Sequence, residues 1–125
     1  HAMSPVLEAR MLVAIGGALS LNGYVYESCD DGITAIRIGP GNTFSRTWNT
    51  PVPATGPPVF AAGLLWSADY RFGSRMLYGL SPQDGSVVAQ VQLPGVVPHF
   101  ATPVSAPDRL YLAVGASLLA YTFVY

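Results

Sequence analysis

Lysine is absent from this 125-residue chain, and charge of either sign is scarce. Only 10% of the residues are charged, where about 25% is usual for a soluble domain. The six cations are all arginine (10, 37, 46, 71, 75 and 109), and they are scattered rather than clustered. With a net charge of −1, the chain has no basic stripe, which excludes the electrostatic footprint of a nucleic-acid partner. So little charged surface predicts that part of the molecule is covered, by the rest of a larger fold or by another copy of the chain.

Cysteine is limited to Cys29. One thiol excludes an internal disulfide, and the Cys/His spacing of a zinc site is missing as well. No apolar run is long enough to span a bilayer. Met11 to Leu21 is the longest, and it has two readings. Following Arg10 it is faintly like the core of a signal peptide, although Glu8 and the lack of a small-x-small cleavage site count against that. It also reads as a buried strand pair turning at Gly16-Gly17. His1-Ala2 ahead of Met3 has the look of a tag remnant, leaving residues 3–125 as a single domain of ordinary size.

Sustained helical periodicity is missing too. Pro5 to Ile15 is the one stretch where Val6, Leu7, Met11, Leu12 and Ile15 can share a helix face, with strand as the first reading. Elsewhere 13 glycines and 11 prolines separate short apolar runs, which suits strands joined by turns. The spacing predicts strands near residues 10–15, 18–21, 24–28, 33–38, 44–48, 59–62, 64–68, 76–80, 87–92, 101–105, 110–114 and 117–123. Asn22-Gly23 is the strongest hairpin signal. Asp30-Asp31-Gly32, Asp84-Gly85, Pro107-Asp108 and Gly115-Ala116 mark further turns.

These strands repeat. Segments starting at Leu19, Val59 and Pro103 each give a short strand, a tight turn and an apolar strand with aromatic residues. Each is followed by another strand, whose central residues Ala35, Gly79 and Ala120 lie 44 and 41 residues apart. A period of about 40–45 residues with four strands per unit is the signature of a propeller blade. Small residues at those centres predict a crowded interior where blades approach each other.

Leu77 to Val91 carries a family resemblance. It is similar to the repeat of the quinoprotein-like propellers, in which a strand ending leucine-tyrosine-alanine-leucine-aspartate leads through a threonine-glycine-type turn into a strand ending in tryptophan. Gly79 stands for the alanine, Ser81 for the aspartate and Asp84-Gly85 for the turn. The tryptophan is missing from that unit and stands in the first as Trp48. The resemblance covers Leu19 to Phe123 and implies an all-β fold of four-stranded blades. It also implies an extracytoplasmic location, and a binding or scaffold role such as some members have in outer-membrane protein assembly. In members that hold the quinone, the cofactor lies on the propeller axis with calcium, among acidic and amide side chains and often a vicinal cysteine pair. Adjacent cysteines and a matching acidic set are missing here, so no cofactor is expected.

Two and a half units cannot close a ring, which takes about four to eight blades. The chain is then a fragment of a longer protein, an oligomer that completes a ring with copies of itself, or a differently closed barrel or sandwich. Exposed strand edges argue for a partner, an identical chain first of all. The strands ahead of Leu19 are candidates for the missing strand of the third unit.

Few residues invite chemistry. Asp30 and Asp31 beside Glu27 can be read as a metal site, but without the spaced ligands of a calcium loop they read better as a polar turn. Cys29 and His99 can be paired as nucleophile and base, though nothing in the sequence brings them together. Gly-x-Ser-x-Gly elbows, phosphate loops and dinucleotide fingerprints are absent. A ligand surface is best sought at Trp66, Asp69, Tyr70 and Arg71, with Phe72 and His99, since aromatics and arginine on a loop suit binding. The competing reading buries Trp66 and Phe72 in the core. The expected function is a non-catalytic binding or scaffold module. A lectin-like carbohydrate-binding oligomer is the alternative, and an enzyme the third choice.

Overall fold

A computed structural model of the chain describes residues 14–29, 31–52, 56–69, 71, 75–97 and 102–123. These residues form eleven strands and no helix. The first sheet contains β1 (Ala14–Leu21), β2 (Tyr24–Cys29), β3 (Gly32–Gly39) and β4 (Thr43–Thr50). The second contains β5 (Val59–Ala61), β6 (Leu64–Ala68), β7 (Met76–Leu80) and β8 (Val87–Gln92), and the third β9 (Val104–Ala106), β10 (Arg109–Val114) and β11 (Ser117–Thr122). Each sheet is an antiparallel meander in which neighbours in sequence are neighbours in space. Two four-stranded blades are thus followed by one of three strands.

The turns follow from backbone chemistry. Asn22 and Gly23 have φ of 52° and 81°, the paired positive values of the hairpin turn that matches strand twist. Ala62 and Gly63 repeat this turn in the second sheet, with φ of 52° and 79°. Alanine is a poor occupant of that region, because its Cβ crowds the following carbonyl.

Alternation along the strands creates two cores. Tyr26, Ile33, Ala35 and Val52 of the first blade pack on Leu65 and Leu80 of the second. Trp66, Ala68 and Leu77 of the second pack on Leu110, Leu112 and Val114 of the third, with Leu93 and Val97 of the connecting segment. The first two blades are also joined at Gly56, whose carbonyl accepts hydrogen bonds from Ser28 (2.6 Å) and from the Ser67 hydroxyl. Gly85 marks another close approach. Its φ is +75°, and a Cβ there would stand 2.4 Å from the Trp48 ring, while its carbonyl accepts from Thr50 Oγ1 at 2.5 Å.

Three expectations need correction. Ala14 to Leu21 is one strand, so Gly16-Gly17 is no turn between two; the irregularity is a register shift against β2 between Ala14 and Ala18. That strand pairs with β2, so residues 14–21 belong to the first blade and do not complete the third. Of the small residues at the strand centres, Ala35 is buried where the first two blades meet, whereas Gly79 lies against Trp66 of its own sheet and Ala120 is exposed. Ala35 is opposite Tyr26, Gly79 opposite Trp66 and Ala120 opposite Tyr111. A Cβ on Gly79 would lie 3.0 Å from the Trp66 ring. Most of the alternative helix, Pro5 to Val13, lies outside the described residues, and its end at Ala14 and Ile15 is strand.

Candidate functional site

An open cleft of about 360 Å³ lies between the first two blades, at the end where the Asn22-Gly23 and Ala62-Gly63 turns emerge. Leu21, Tyr24 and Tyr26 form one wall, Phe60 stands on the other, and Pro82 and Gln83 bound it from the β7–β8 turn. Strand alternation explains the wall. Tyr24 and Tyr26 are two residues apart on β2 and share a face, as do Leu21 and Tyr24 by cross-strand pairing. The tyrosine rings are stacked, with centroids 6.2 Å apart and planes 17° apart. Phe60 faces them from β5, where its partner Leu65 is also turned to the first blade.

Behind the wall the cleft is braced. The Trp48 ring centroid lies 5.8 Å from that of Tyr26. Trp48 Nε1 and the Tyr26 hydroxyl both donate to the Pro82 carbonyl, at 3.1 and 3.5 Å. Burial first, and then the neighbouring Tyr24, push the Tyr26 phenol above its ordinary value, so it stays a protonated donor at neutral pH. At the rim Asn22 and Gln83 are exposed and supply amide groups. An apolar aromatic slot with amides at its mouth can hold a flat or extended group and hydrogen-bond its edges.

The residues singled out in the sequence are distributed differently. Trp66 is 7% exposed, its indole N–H donates to the Ala61 carbonyl at 2.9 Å, and its ring lies 5.9 Å from that of Phe123. It is a core residue. Asp69 is fully buried at the opposite end of β6 from the Ala62-Gly63 turn. Its Oδ2 pairs with Arg71 Nη2 at 2.6 Å, and its Oδ1 accepts from the Arg71 backbone N–H at 3.0 Å. Half of the Arg71 side chain remains exposed. The structure therefore joins Asp69 to Arg71 and turns Trp66 inward. Asp30, Tyr70, Phe72 and His99 lie outside the described residues.

Asp31 Oδ1 and Glu27 Oε1 are buried without a hydrogen-bond partner among the described residues. Burial raises the Glu27 carboxyl to about 7, against a smaller lowering by a hydrogen bond from the Ser28 backbone. No cluster of three or more His, Cys, Asp or Glu able to hold a metal is found among the described residues. No helix there is long and apolar enough to cross a membrane.

Sequence reasoning missed the cleft. The local signal was the Tyr24-Val25-Tyr26 alternation after a hairpin turn, which puts two aromatic rings on one face. What could not be read locally was that Phe60 and Pro82 stand across from them.

No family model and no curated protein matches the chain. Solved structures do. One is KlHsv2 with loop 6CD replaced by a Gly-Ser linker, matched with a TM-score of 0.56 and 10% identity over 82% of this chain and 32% of that one. Another is Kluyveromyces lactis Hsv2 with the complete loop 6CD, with a TM-score of 0.55 and 10% identity over 82% of this chain and 30% of that one. The chain thus spans about a third of the length of these structures. Hsv2 is a β-propeller protein. At such low identity the likeness concerns architecture alone: the chain has an all-β, propeller-type fold of consecutive antiparallel blades.

Proposed function

We propose that this chain is a non-catalytic binding module of the quinoprotein-like propeller type, which takes an extended segment of a protein partner in the cleft between its first two blades. The observation that carries this reading is the slot itself, with Tyr24 and Tyr26 stacked on one side and Phe60 on the other. Aromatic-lined grooves accept extended, proline-rich chains because those chains lose little conformational freedom on docking. The propeller-type neighbours are compatible with a binding or scaffold role. Fold alone assigns no partner.

Carbohydrate is the second reading, favoured by amides at the rim of an aromatic wall. The lectin-like alternative then rests on Tyr24 rather than on the buried Trp66. The exposed part of Arg71, paired with the buried Asp69, is the competing location for a ligand.

Trp48 touches the wall through Tyr26, so its emission reports on occupancy. Titration with a proline-rich peptide panel and an oligosaccharide panel separates the two ligand classes. Tyr24→Ala and Phe60→Ala are expected to weaken binding at least about tenfold, near 1.4 kcal/mol, while Arg71→Ala leaves it unchanged. Binding that is lost with Arg71→Ala and kept with Tyr24→Ala would move the site to the loop. No response to either panel would refute the cleft.

A further inference from the structure

The first two blades each have a fourth, outer strand, and the third has none among the described residues. Backbone register fixes what this leaves at its edge. The Gly115-Ala116 turn joins Val114 to Ser117, and in a two-residue hairpin the flanking pair exchanges both hydrogen bonds. Bonded and non-bonded pairs alternate from there, so Leu112 bonds Leu119 and Leu110 bonds Tyr121. The N–H and C=O groups of Leu118, Ala120 and Thr122 therefore point away from β10, to the open edge. The other side of β10 agrees. The Pro107-Asp108 turn makes Ala106 and Arg109 a bonded pair, which turns the Arg109 backbone to β9 and away from Thr122.

The repeat shows what such an edge meets. Ala35, Gly79 and Ala120 hold the same place in β3, β7 and β11, each opposite an aromatic residue of the preceding strand. On its other side Ala35 pairs with Trp48 of β4, and Gly79 with Ala89 of β8, both antiparallel. Ala120 has no such neighbour among the described residues. The outer strands share a side-chain pattern as well. Trp48 packs on the core between the first two blades, and Ala89 and Val91 on the core between the second and third. Their sequence neighbours Asn49 and Gln90 are exposed.

We infer that an extended segment of a partner protein adds to the β11 edge as the fourth strand of the third blade, antiparallel to β11 and bonded to the backbone of Leu118, Ala120 and Thr122. Its apolar residues alternate with polar ones. The apolar set lies beside Ala120 and the exposed Leu118, as Ala89 and Val91 lie beside Gly79 and Leu77. β11 carries no charged residue, so its edge lacks the charges that keep foreign strands away. One strand brings the blade to the width of its two neighbours, whereas β11 of a second copy would join two three-stranded sheets into one wider than either neighbour. The edge is separate from the cleft between the first two blades and does not depend on it.

The test uses a synthetic peptide with the sequence of Ser86–Leu93, which contains the outer strand of the second blade, and follows amide hydrogen exchange residue by residue. In the chain alone the outward amides of Leu118, Ala120 and Thr122 are expected to exchange fast and those of Leu119 and Tyr121 slowly. Peptide at about ten times its dissociation constant is expected to slow the outward amides about tenfold. Ala120→Pro removes an outward N–H and leaves the ladder to β10 whole, so it is expected to abolish the effect. The same peptide N-methylated at the amides of Ala89 and Val91, which face the neighbouring strand, leaves the protein unaltered and is expected to have no effect. Outward amides that stay fast with peptide present, or that slow equally with the methylated peptide or in Ala120→Pro, would overturn the inference. Outward amides already slow in the chain alone would overturn it too. By light scattering, a mass of 13.2 kDa would then put a segment of the same chain on the edge, and twice that mass a second copy.

Discussion

Raising the pH through the neutral range destabilises this protein through Glu27. The side chain is 8% exposed on β2, and its Oε1 accepts no hydrogen bond among the described residues. Thr34 is the cross-strand partner of Glu27, whose charge is felt by the Cys29 thiol. Its carboxyl titrates at about 7 in the fold, against 4.5 for a free glutamate. Because the folded value lies above the unfolded one, the native state binds more protons between them. Its stability is therefore greatest below about pH 4.5, falls as the pH rises toward about 7, and is level beyond that. At 1.36 kcal/mol per unit the full shift corresponds to about 3 kcal/mol, and solvent screening of a partly accessible group reduces this to about 1–2 kcal/mol. The Cys29 thiol is also pushed up by burial, so it titrates above this window. Urea unfolding at intervals from about pH 5 to about pH 8, for the unaltered chain and for Glu27→Gln, isolates the contribution. The unaltered chain is expected to lose that 1–2 kcal/mol relative to the variant across the window, and the variant to be the more stable of the two at the alkaline end. Parallel stability curves would refute the reasoning.

Other substitutions probe the backbone and the core. Ala62→Asn relieves a residue held at φ 52° and is expected to raise stability by about 0.5–1 kcal/mol, seen as a higher Tm. Gly85→Ala combines a positive φ with a Cβ 2.4 Å from the Trp48 ring, so a loss of about 3 kcal/mol and altered Trp48 emission are expected in chemical denaturation. Trp66→Phe keeps a ring in the core but removes the indole hydrogen bond to the Ala61 carbonyl, costing about 0.5–1.5 kcal/mol by thermal unfolding.

The strands between Tyr24 and Val114 were legible because the turns have chemistry of their own. Asn22-Gly23 and Gly85 declare the positive φ they adopt, and the repeat period supplied the blades. Gly16-Gly17 misled because two glycines permit a turn without requiring one, and pairing with β2 held the chain extended. Ala62 hid its turn by occupying it against preference, under the constraint of the flanking strands. Trp66 was equally at home on a surface or in a core by composition, and only the packing of the third blade decides between them. The cleft was invisible because it joins Tyr24 to Phe60 and Pro82, residues that no local period connects.

The Gly56 carbonyl accepts hydroxyl protons from Ser28 of one blade and Ser67 of the next, while its N–H donates to the Ala68 carbonyl at 2.6 Å. Parting those blades strands the buried Ser28 hydroxyl, because Gly56 stays with Ser67 and Ala68 of the second blade, whereas the third blade is held mainly by apolar side chains. Amide hydrogen exchange should accordingly divide the molecule unevenly. The first two blades exchange as one slow cooperative unit, and the three-stranded blade opens ahead of them.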